Sequence, residues 1–234
     1  IVWLVIELVK IAFNIEVILF HRFIGSITAH RDAIHDLFRF IGETDAAISV
    51  MRLRREAPTC RPAFVEGKYL EAVQVVHPLI ADCVPNTLTL DGTGLLLTGS
   101  NMSGKTTFVR TVMLNALLGE TICTCFAEGF TIPYMRLYSS IRISDDISEG
   151  TSYYLQEVLT VKRLLEAAEQ PAPCLFVLDE LFKGTNTTER IAAGKAVLAH
   201  LNRGPHIVLA ATHDIELAEL LRGDGYELHH FREE

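Results

Sequence analysis

A glycine-rich segment that ends in a lysine and a hydroxyl residue lies near the middle of this 234-residue chain. Gly99, Gly104, Lys105 and Thr106 satisfy the spacing G-x-x-x-x-G-K-[ST], with an apolar run before the loop and a helical apolar pattern after it. Glycines let successive backbone N–H groups turn toward one anion at a helix N-terminus, while the lysine reaches β- and γ-phosphates and the threonine hydroxyl ligates Mg²⁺. The spacing predicts a nucleotide site. Its predicted phosphate-binding residues are Gly99, Ser100, Asn101, Met102, Ser103, Gly104, Lys105, Thr106 and Thr107.

Two adjacent acids, Asp179 and Glu180, follow the apolar run CLFVL. In a parallel sheet, ligands gather at the carboxyl ends of the strands. Asp179 is therefore predicted to hold Mg²⁺ together with Thr106. Glu180, one residue further on, is predicted to accept a proton from an attacking water. The alternative is a strand that ends in a solvated acidic turn.

His213 ends a further apolar run, HIVLAAT, and we expect it at the same edge of the sheet as the two acids. There it would contact the γ-phosphate or the attacking water. A single histidine at a strand end is more often structural or solvated, so the prediction depends on the neighbouring acids. The other eight histidines have no comparable spacing and are assigned no role.

The chain that positions these residues divides by pattern into two parts. Residues 1–57 are predicted to be helical, with Gly42 as a candidate break, and Pro58 and Pro62 mark the boundary. From residue 58 to residue 234, short apolar runs alternate with helical patterns. This alternation predicts an α/β domain with a mainly parallel sheet flanked by helices. The predicted strands include LEAVQVV, LLLTG, TICTCF with Cys123 and Cys125, CLFVLDE and HIVLAATH.

Composition restricts the classes of function. The net charge of −8 comes from residues 67–234, which carry 13 basic and 21 acidic residues, so a broad nucleic-acid surface is not expected there. Five scattered cysteines without a CxxC pair favour reduced intracellular thiols and a cytoplasmic location.

The first twenty residues are very apolar, but charged residues interrupt the run, so we expect a packed helix rather than a membrane span. A peripheral or membrane-adjacent helix remains the alternative. The chain starts without methionine and ends abruptly, which suggests a fragment.

Five motifs in order resemble the MutS family of DNA mismatch-repair ATPases. One of them is the loop TGSNMSGKTT, which has Asn-Met before the final glycine and lysine, as that family's loop typically does. The upstream pairs His77-Pro78 and Pro85-Asn86, the segment DDISEGTSYYLQE, the segment LDELFKGTNT and the sequence Ala-Thr-His213-Asp agree with it. The resemblance covers residues 35–231.

The resemblance implies the C-terminal ATPase domain of a MutS-like protein, with a P-loop NTPase fold of ABC-ATPase type. It further implies a homodimer formed through the ATPase face, in which Gly150 and Ser152 of one subunit approach the γ-phosphate held by the other. ATP and Mg²⁺ are the implied cofactors, and Glu180, His213, Lys105 and Ser152 the implied catalytic residues. DNA would be bound by regions outside this chain.

Several positions depart from the family's usual residues. Ser103 replaces a common glycine, Cys83 stands where an aromatic often stacks on adenine, and Lys183 and Asn186 also differ. These departures resemble a divergent bacterial MutS-like branch, some members of which have membrane-spanning segments upstream. The alternative function is a nucleotide-gated clamp or membrane-associated binding module with little hydrolysis. A transporter nucleotide-binding subunit is disfavoured because the sequence contains no Leu-Ser-Gly-Gly-Gln run.

Overall fold

The structure is a computed structural model that describes residues 2–100, 103–141, 153–182 and 185–231. Its chain forms two compact units, Ile1–Leu53 and Arg54–Glu234. The helices are α1 Val2–Ala12, α2 Ile15–Ala29, α3 Arg31–Glu56, α4 Lys105–Ile122, α5 Tyr153–Ala168, α6 Thr187–Leu201 and α7 Ile215–Leu221. The strands are β1 Ala63–Phe64, β2 Tyr69–Val75, β3 Asn86–Asp91, β4 Gly94–Gly99, β5 Gly129–Ile132, β6 Arg136–Ser140, β7 Cys174–Asp179, β8 Ile207–Ala211 and β9 Tyr226–Phe231.

The first unit is helical, as the sequence predicts, but its helices break elsewhere. Helix α3 runs through Gly42 without interruption. One glycine costs a helix only about 1 kcal/mol, which a helix of this length tolerates, so the predicted break at Gly42 is wrong. The breaks lie instead at Asn14, which has a left-handed backbone with φ of 48°, and at His30. None of the helices in the described part of the chain is long and apolar enough to cross a membrane.

The second unit contains a five-stranded sheet in the order β6-β7-β8-β4-β9, and every neighbouring pair in it is parallel. The strands β2, β4, β7 and β8 confirm four of the predicted apolar runs. Strand β9 was not predicted. It pairs with β4 from Gly94 opposite Tyr226 to Gly99 opposite Phe231.

A second sheet has four strands in the order β1-β5-β2-β3, and its β2 is antiparallel to both neighbours. The predicted strand through Cys123 and Cys125 is wrong. Helix α4 continues to Ile122, and Cys123 ends it in a left-handed conformation with φ of 50°. Cys125 forms only an isolated antiparallel bridge with Cys60.

The central strands β7, β8 and β4 of the five-stranded sheet are buried on both faces, and this explains their nearly continuous apolar runs. Alternate residues of a strand point to opposite faces. Leu95 and Leu209 therefore pack with the α4 residue Val112 in one cluster, whereas Leu96 and Phe176 belong to the cluster on the other face. That second cluster includes residues of α5, α6 and α7. The result is an α/β unit whose parallel sheet is flanked by helices.

Candidate functional site

Three neighbouring strands, β7, β8 and β4, end at the same edge of the parallel sheet, and we call this edge the carboxyl rim. Asp179 of β7 lies opposite Ala211 of β8, and Leu97 of β4 lies opposite Ala211 on the other side. The main chain continues this register, because the N–H of Thr212 donates to the carbonyl of Leu97 at 2.9 Å. The rim thus brings together the glycine-rich loop, the two acids and the histidine, as the sequence predicts.

The glycine-rich loop leaves β4 through backbone angles that require glycine. Gly99 has φ of 148° and Gly104 has φ of 96°. A Cβ at Gly99 would lie only 2.8 Å from the carbonyl oxygen of Phe231, so a side chain there would force β9 away. Ser103 closes the turn, since its hydroxyl donates to the carbonyl of Ser100 at 2.9 Å. The predicted loop residues Asn101 and Met102 lie outside the described residues.

Lys105, the first residue of α4, is turned into the loop and is only 5% exposed. Its ammonium donates hydrogen bonds to the carbonyls of Gly99, at 2.8 Å, and of Ser100. Burial lowers the pKa of Lys105, and the negative charge of Asp179 partly offsets this effect. A buried cation lies where the loop would receive an anion.

Thr106 and Asp179 meet across the rim, although 73 residues separate them in the chain. The Thr106 hydroxyl donates to Asp179 Oδ2 at 2.8 Å. In phosphoryl-transfer proteins with a glycine-rich loop of this kind, a loop hydroxyl and a strand-end carboxylate are the protein groups that hold Mg²⁺. The sequence-based prediction that these two side chains lie together therefore agrees with the geometry.

Glu180 and His213 form a second pair at the rim. Glu180 has a left-handed backbone with φ of 52°, and its N–H donates to the carbonyl of Ala211 at 2.9 Å. A non-glycine residue in this region is uncommon, and for a long side chain such as glutamate it carries a conformational cost. Its Oε1 lies 3.2 Å from Nδ1 of His213. The turn places the Glu180 carboxylate, which is largely buried, beside a histidine ring that faces solvent.

A pocket of about 340 Å³ opens beside the loop and the first turns of α4. One wall is formed by Cys83 and Val84, which lie just before β3, and by Asn86, the first residue of β3. The opposite wall includes Gly104 and Thr107. Phe108 and Phe231 also line it, with their ring centroids 5.4 Å apart. The pocket is mostly apolar and adjoins the glycine-rich loop.

Three further residues of this region were not predicted from the sequence. Phe231 contributes through β9, a strand whose pattern carries no chemical motif. Arg190 and Asp214 form an ion pair beside His213, with Arg190 Nε and Nη2 each 2.8 Å from a carboxylate oxygen. Asp214 follows the predicted histidine directly, but no spacing rule links it to an arginine in α6. The predicted partner-subunit residues Gly150 and Ser152, as well as Lys183, lie outside the described residues.

The fold and the rim define an α/β protein with a parallel sheet flanked by helices and a glycine-rich loop at its carboxyl edge. The family model described as MutS domain V matches residues 95–229, and the chain belongs to the MutS family.

Among curated relatives, the chain is 29% identical over 219 residues to a protein of Staphylococcus saprophyticus named DNA mismatch repair protein MutS. It is 27% identical over 219 residues to the protein of the same name from Staphylococcus aureus strain JH9. Each match covers 89% of this chain and 24% or 25% of the relative, so the chain spans about a quarter of their length.

Proposed function

We propose that this chain is the ATP-binding and ATP-hydrolysing module of a MutS-like protein, with a P-loop fold of ABC-ATPase type. One observation carries the proposal: the Thr106 hydroxyl, which directly follows the loop lysine, is hydrogen-bonded at 2.8 Å to the acid that ends β7. A lysine at a glycine-rich loop, a hydroxyl and a strand-end carboxylate in this arrangement are what Mg²⁺-dependent phosphoryl transfer requires.

Each residue at the rim has a distinct role in this proposal. Lys105 and the loop N–H groups bind the phosphates, while Thr106 and Asp179 are the residues that would hold Mg²⁺. Bound Mg²⁺ would neutralise the charge that develops on the phosphates. Glu180 accepts a proton from the attacking water, and His213 orients that water or contacts the γ-phosphate.

The complete site is proposed to need two chains, because the segment that contains Gly150 and Ser152 would approach the γ-phosphate from a partner subunit. If two chains build the site, ATP turnover per subunit should rise with protein concentration in the presence of Mg²⁺ and then level off. The measurement is steady-state phosphate release over a wide range of protein concentrations.

The outcomes of the titration separate the proposed functions. A rising specific activity supports the composite site. A flat, non-zero activity across concentrations at which sedimentation shows monomers would contradict it. ATP binding without turnover at any concentration would instead favour the nucleotide-gated clamp.

The pocket beside the loop is proposed to receive the adenine ring, and a thiol in its wall can report on this. Cys83 lies in the wall and is partly exposed, whereas Cys123 is exposed at the end of α4 and does not line the pocket. We expect ATP with Mg²⁺ to slow alkylation of Cys83 by iodoacetamide at least several-fold and to leave Cys123 unchanged. Mass spectrometry of digested protein measures both rates in one sample.

The other cysteines interfere little with this experiment. Cys125 and Cys174 are buried, and burial raises the pKa of the Cys60 thiol and so disfavours its reactive thiolate. Equal alkylation of Cys83 with and without saturating ATP would place the base elsewhere. Parallel slowing at Cys123 would indicate a general tightening of the chain rather than occupation of the pocket.

The proposed biological role is to couple ATP to DNA handling. The relatives are named DNA mismatch repair proteins, and this chain matches about a quarter of them. The acidic balance of residues 67–234 argues against a broad phosphate-binding surface in this unit. DNA contact is therefore proposed for regions outside this chain.

A further inference from the structure

An ion pair behind the histidine side of the carboxyl rim is built differently from the other ion pairs of the described chain. The Arg190 guanidinium binds both carboxylate oxygens of Asp214, at 2.8 Å each. Their side chains are only 15% and 11% exposed. The ion pair between Lys162 and Glu166 is a contrast, with a distance of 3.6 Å and side chains that are 67% and 62% exposed. Bidentate pairing in partly buried surroundings fixes geometry far better than a solvated pair does.

The pair joins the two segments that carry Glu180 and His213. Arg190 lies in the first turn of α6, directly after the loop that follows Glu180. Asp214 follows His213 and precedes α7. On the other side of the histidine, the N–H of Thr212 is bonded to the carbonyl of Leu97 in β4. The main chain at His213 is therefore held by the sheet before it and by the ion pair after it.

The Asp214 side chain binds Arg190 and does not cap α7. It occupies the N-cap position of α7, yet its side chain caps no N–H of that helix. Hydrogen bonds from Arg190 hold the pKa of the Asp214 carboxyl below its usual range, so the pair stays charged near neutral pH. One oxygen of the same carboxylate lies 3.8 Å from Nε2 of His213. Asp214 thus faces both the arginine and the ring.

We propose that Arg190 and Asp214 are positioning residues, which hold His213 against Glu180 at the carboxyl rim. The inference rests on the proposed ATPase function for its catalytic consequence, but the placement of the ring itself does not depend on ATP. Displacement of a catalytic group by about 1 Å can cost on the order of 10²-fold in rate. The hydrogen bonds of Lys105 go to the carbonyls of Gly99 and Ser100, whereas those of Arg190 go to Asp214, so loss of the ion pair should leave phosphate binding largely unaffected.

The kinetic test uses Asp214→Asn, which keeps the shape of the side chain and removes its charge. We expect kcat for ATP to fall by about 10- to 100-fold, with KM within about 2-fold of the original value. Glu166→Gln, which breaks the exposed ion pair on α5, is the matched control and should leave both constants unchanged. A rise in KM by the same factor as the fall in kcat would overturn the positioning role.

A double-mutant cycle separates positioning from general destabilisation. In a His213→Ala background, Asp214→Asn should reduce kcat by less than about 2-fold, because the group that it positions is already absent. The same 10- to 100-fold loss in both backgrounds would overturn the proposal. Thermal unfolding of each variant identifies the part of any loss that comes from unfolded protein.

A spectroscopic test of the His213 position does not require ATP, so it can fail or succeed independently of the proposed function. The ¹³C resonance of the His213 ring, assigned by its loss in His213→Ala, is recorded without nucleotide. Arg190→Gln should shift or broaden this resonance, whereas Glu166→Gln should not. An unchanged His213 resonance in Arg190→Gln would overturn the positioning role even if the protein hydrolyses ATP. If the unsubstituted protein neither binds nor hydrolyses ATP, the proposed function fails, and this spectrum alone decides the inference.

Discussion

Replacing Lys105 by alanine is expected to weaken ATP binding by at least about 10²-fold, enough to abolish it at ordinary ATP concentrations. The ammonium is buried in the loop and makes two hydrogen bonds to loop carbonyls, so it is held inside the loop that is proposed to receive the phosphates. A hydrogen bond from this ammonium to a phosphate oxygen would contribute about 1.5–3 kcal/mol, so losing two such bonds would weaken ATP affinity by about 10²- to 10⁴-fold. Isothermal titration of the protein with ATP and Mg²⁺ measures the change.

The control for this experiment is Lys162→Ala, which removes an exposed lysine of α5 and should bind ATP normally. The folded state of Lys105→Ala is checked by thermal unfolding without nucleotide. We expect little loss of stability there, because an alanine avoids the cost of burying a charge. ATP affinity equal to that of the unsubstituted protein would remove the loop lysine from the proposed site.

The second large effect is expected from Glu180→Gln, which should bind ATP and hydrolyse it at least about 10²-fold more slowly. The amide keeps the size of the side chain and cannot accept a proton from water, and a positioned general base contributes about 10²- to 10⁴-fold. The left-handed backbone at Glu180 is retained because the main chain is unchanged. Single-turnover hydrolysis, measured with protein in excess over ATP, isolates the chemical step.

Glu219→Gln is the matched control, since Glu219 is an exposed acid on α7 and should show normal turnover. If Glu180→Gln hydrolyses ATP at the original rate while Glu219→Gln does too, Glu180 is not the base. In that case the buried carboxylate beside His213 would have a structural role only.

The fold could be predicted from the sequence where a residue pattern was compatible with only one type of secondary structure. The runs that form β4, β7 and β8 are apolar except near their carboxyl ends, because both faces of these strands are covered. The strand predicted around Cys123 was wrong because a short apolar segment suits a helix end as well as a strand. Helix α4 ends there at Cys123, which has a left-handed backbone, and no sequence pattern indicates that conformation.

The site was predictable to the extent that its residues stand at the ends of parallel strands. His213 and His206 show why: they lie at opposite ends of the segment around β8. His206 is buried, accepts a hydrogen bond from the N–H of Cys174 at 3.1 Å, and lies away from the rim. In the sequence, only the direction of β8 indicates which of the two histidines lies at the carboxyl rim. The Arg190–Asp214 pair could not be predicted, because it joins two helix starts that become neighbours only after the sheet has formed.

The contact between Thr106 and Asp179 joins residues 73 positions apart, and it exists only when β4, β7 and β8 are all in register. A chain that has formed its local helices but not this sheet has no rim to which a nucleotide could bind. Such a ligand therefore binds only the fully assembled unit, and binding is linked to the cooperative unfolding of that unit. At a ligand concentration about 100 times its Kd, this linkage would add about 2.7 kcal/mol to the free energy of unfolding. Occupancy would thus protect the cores on both faces of the sheet, far from the loop itself.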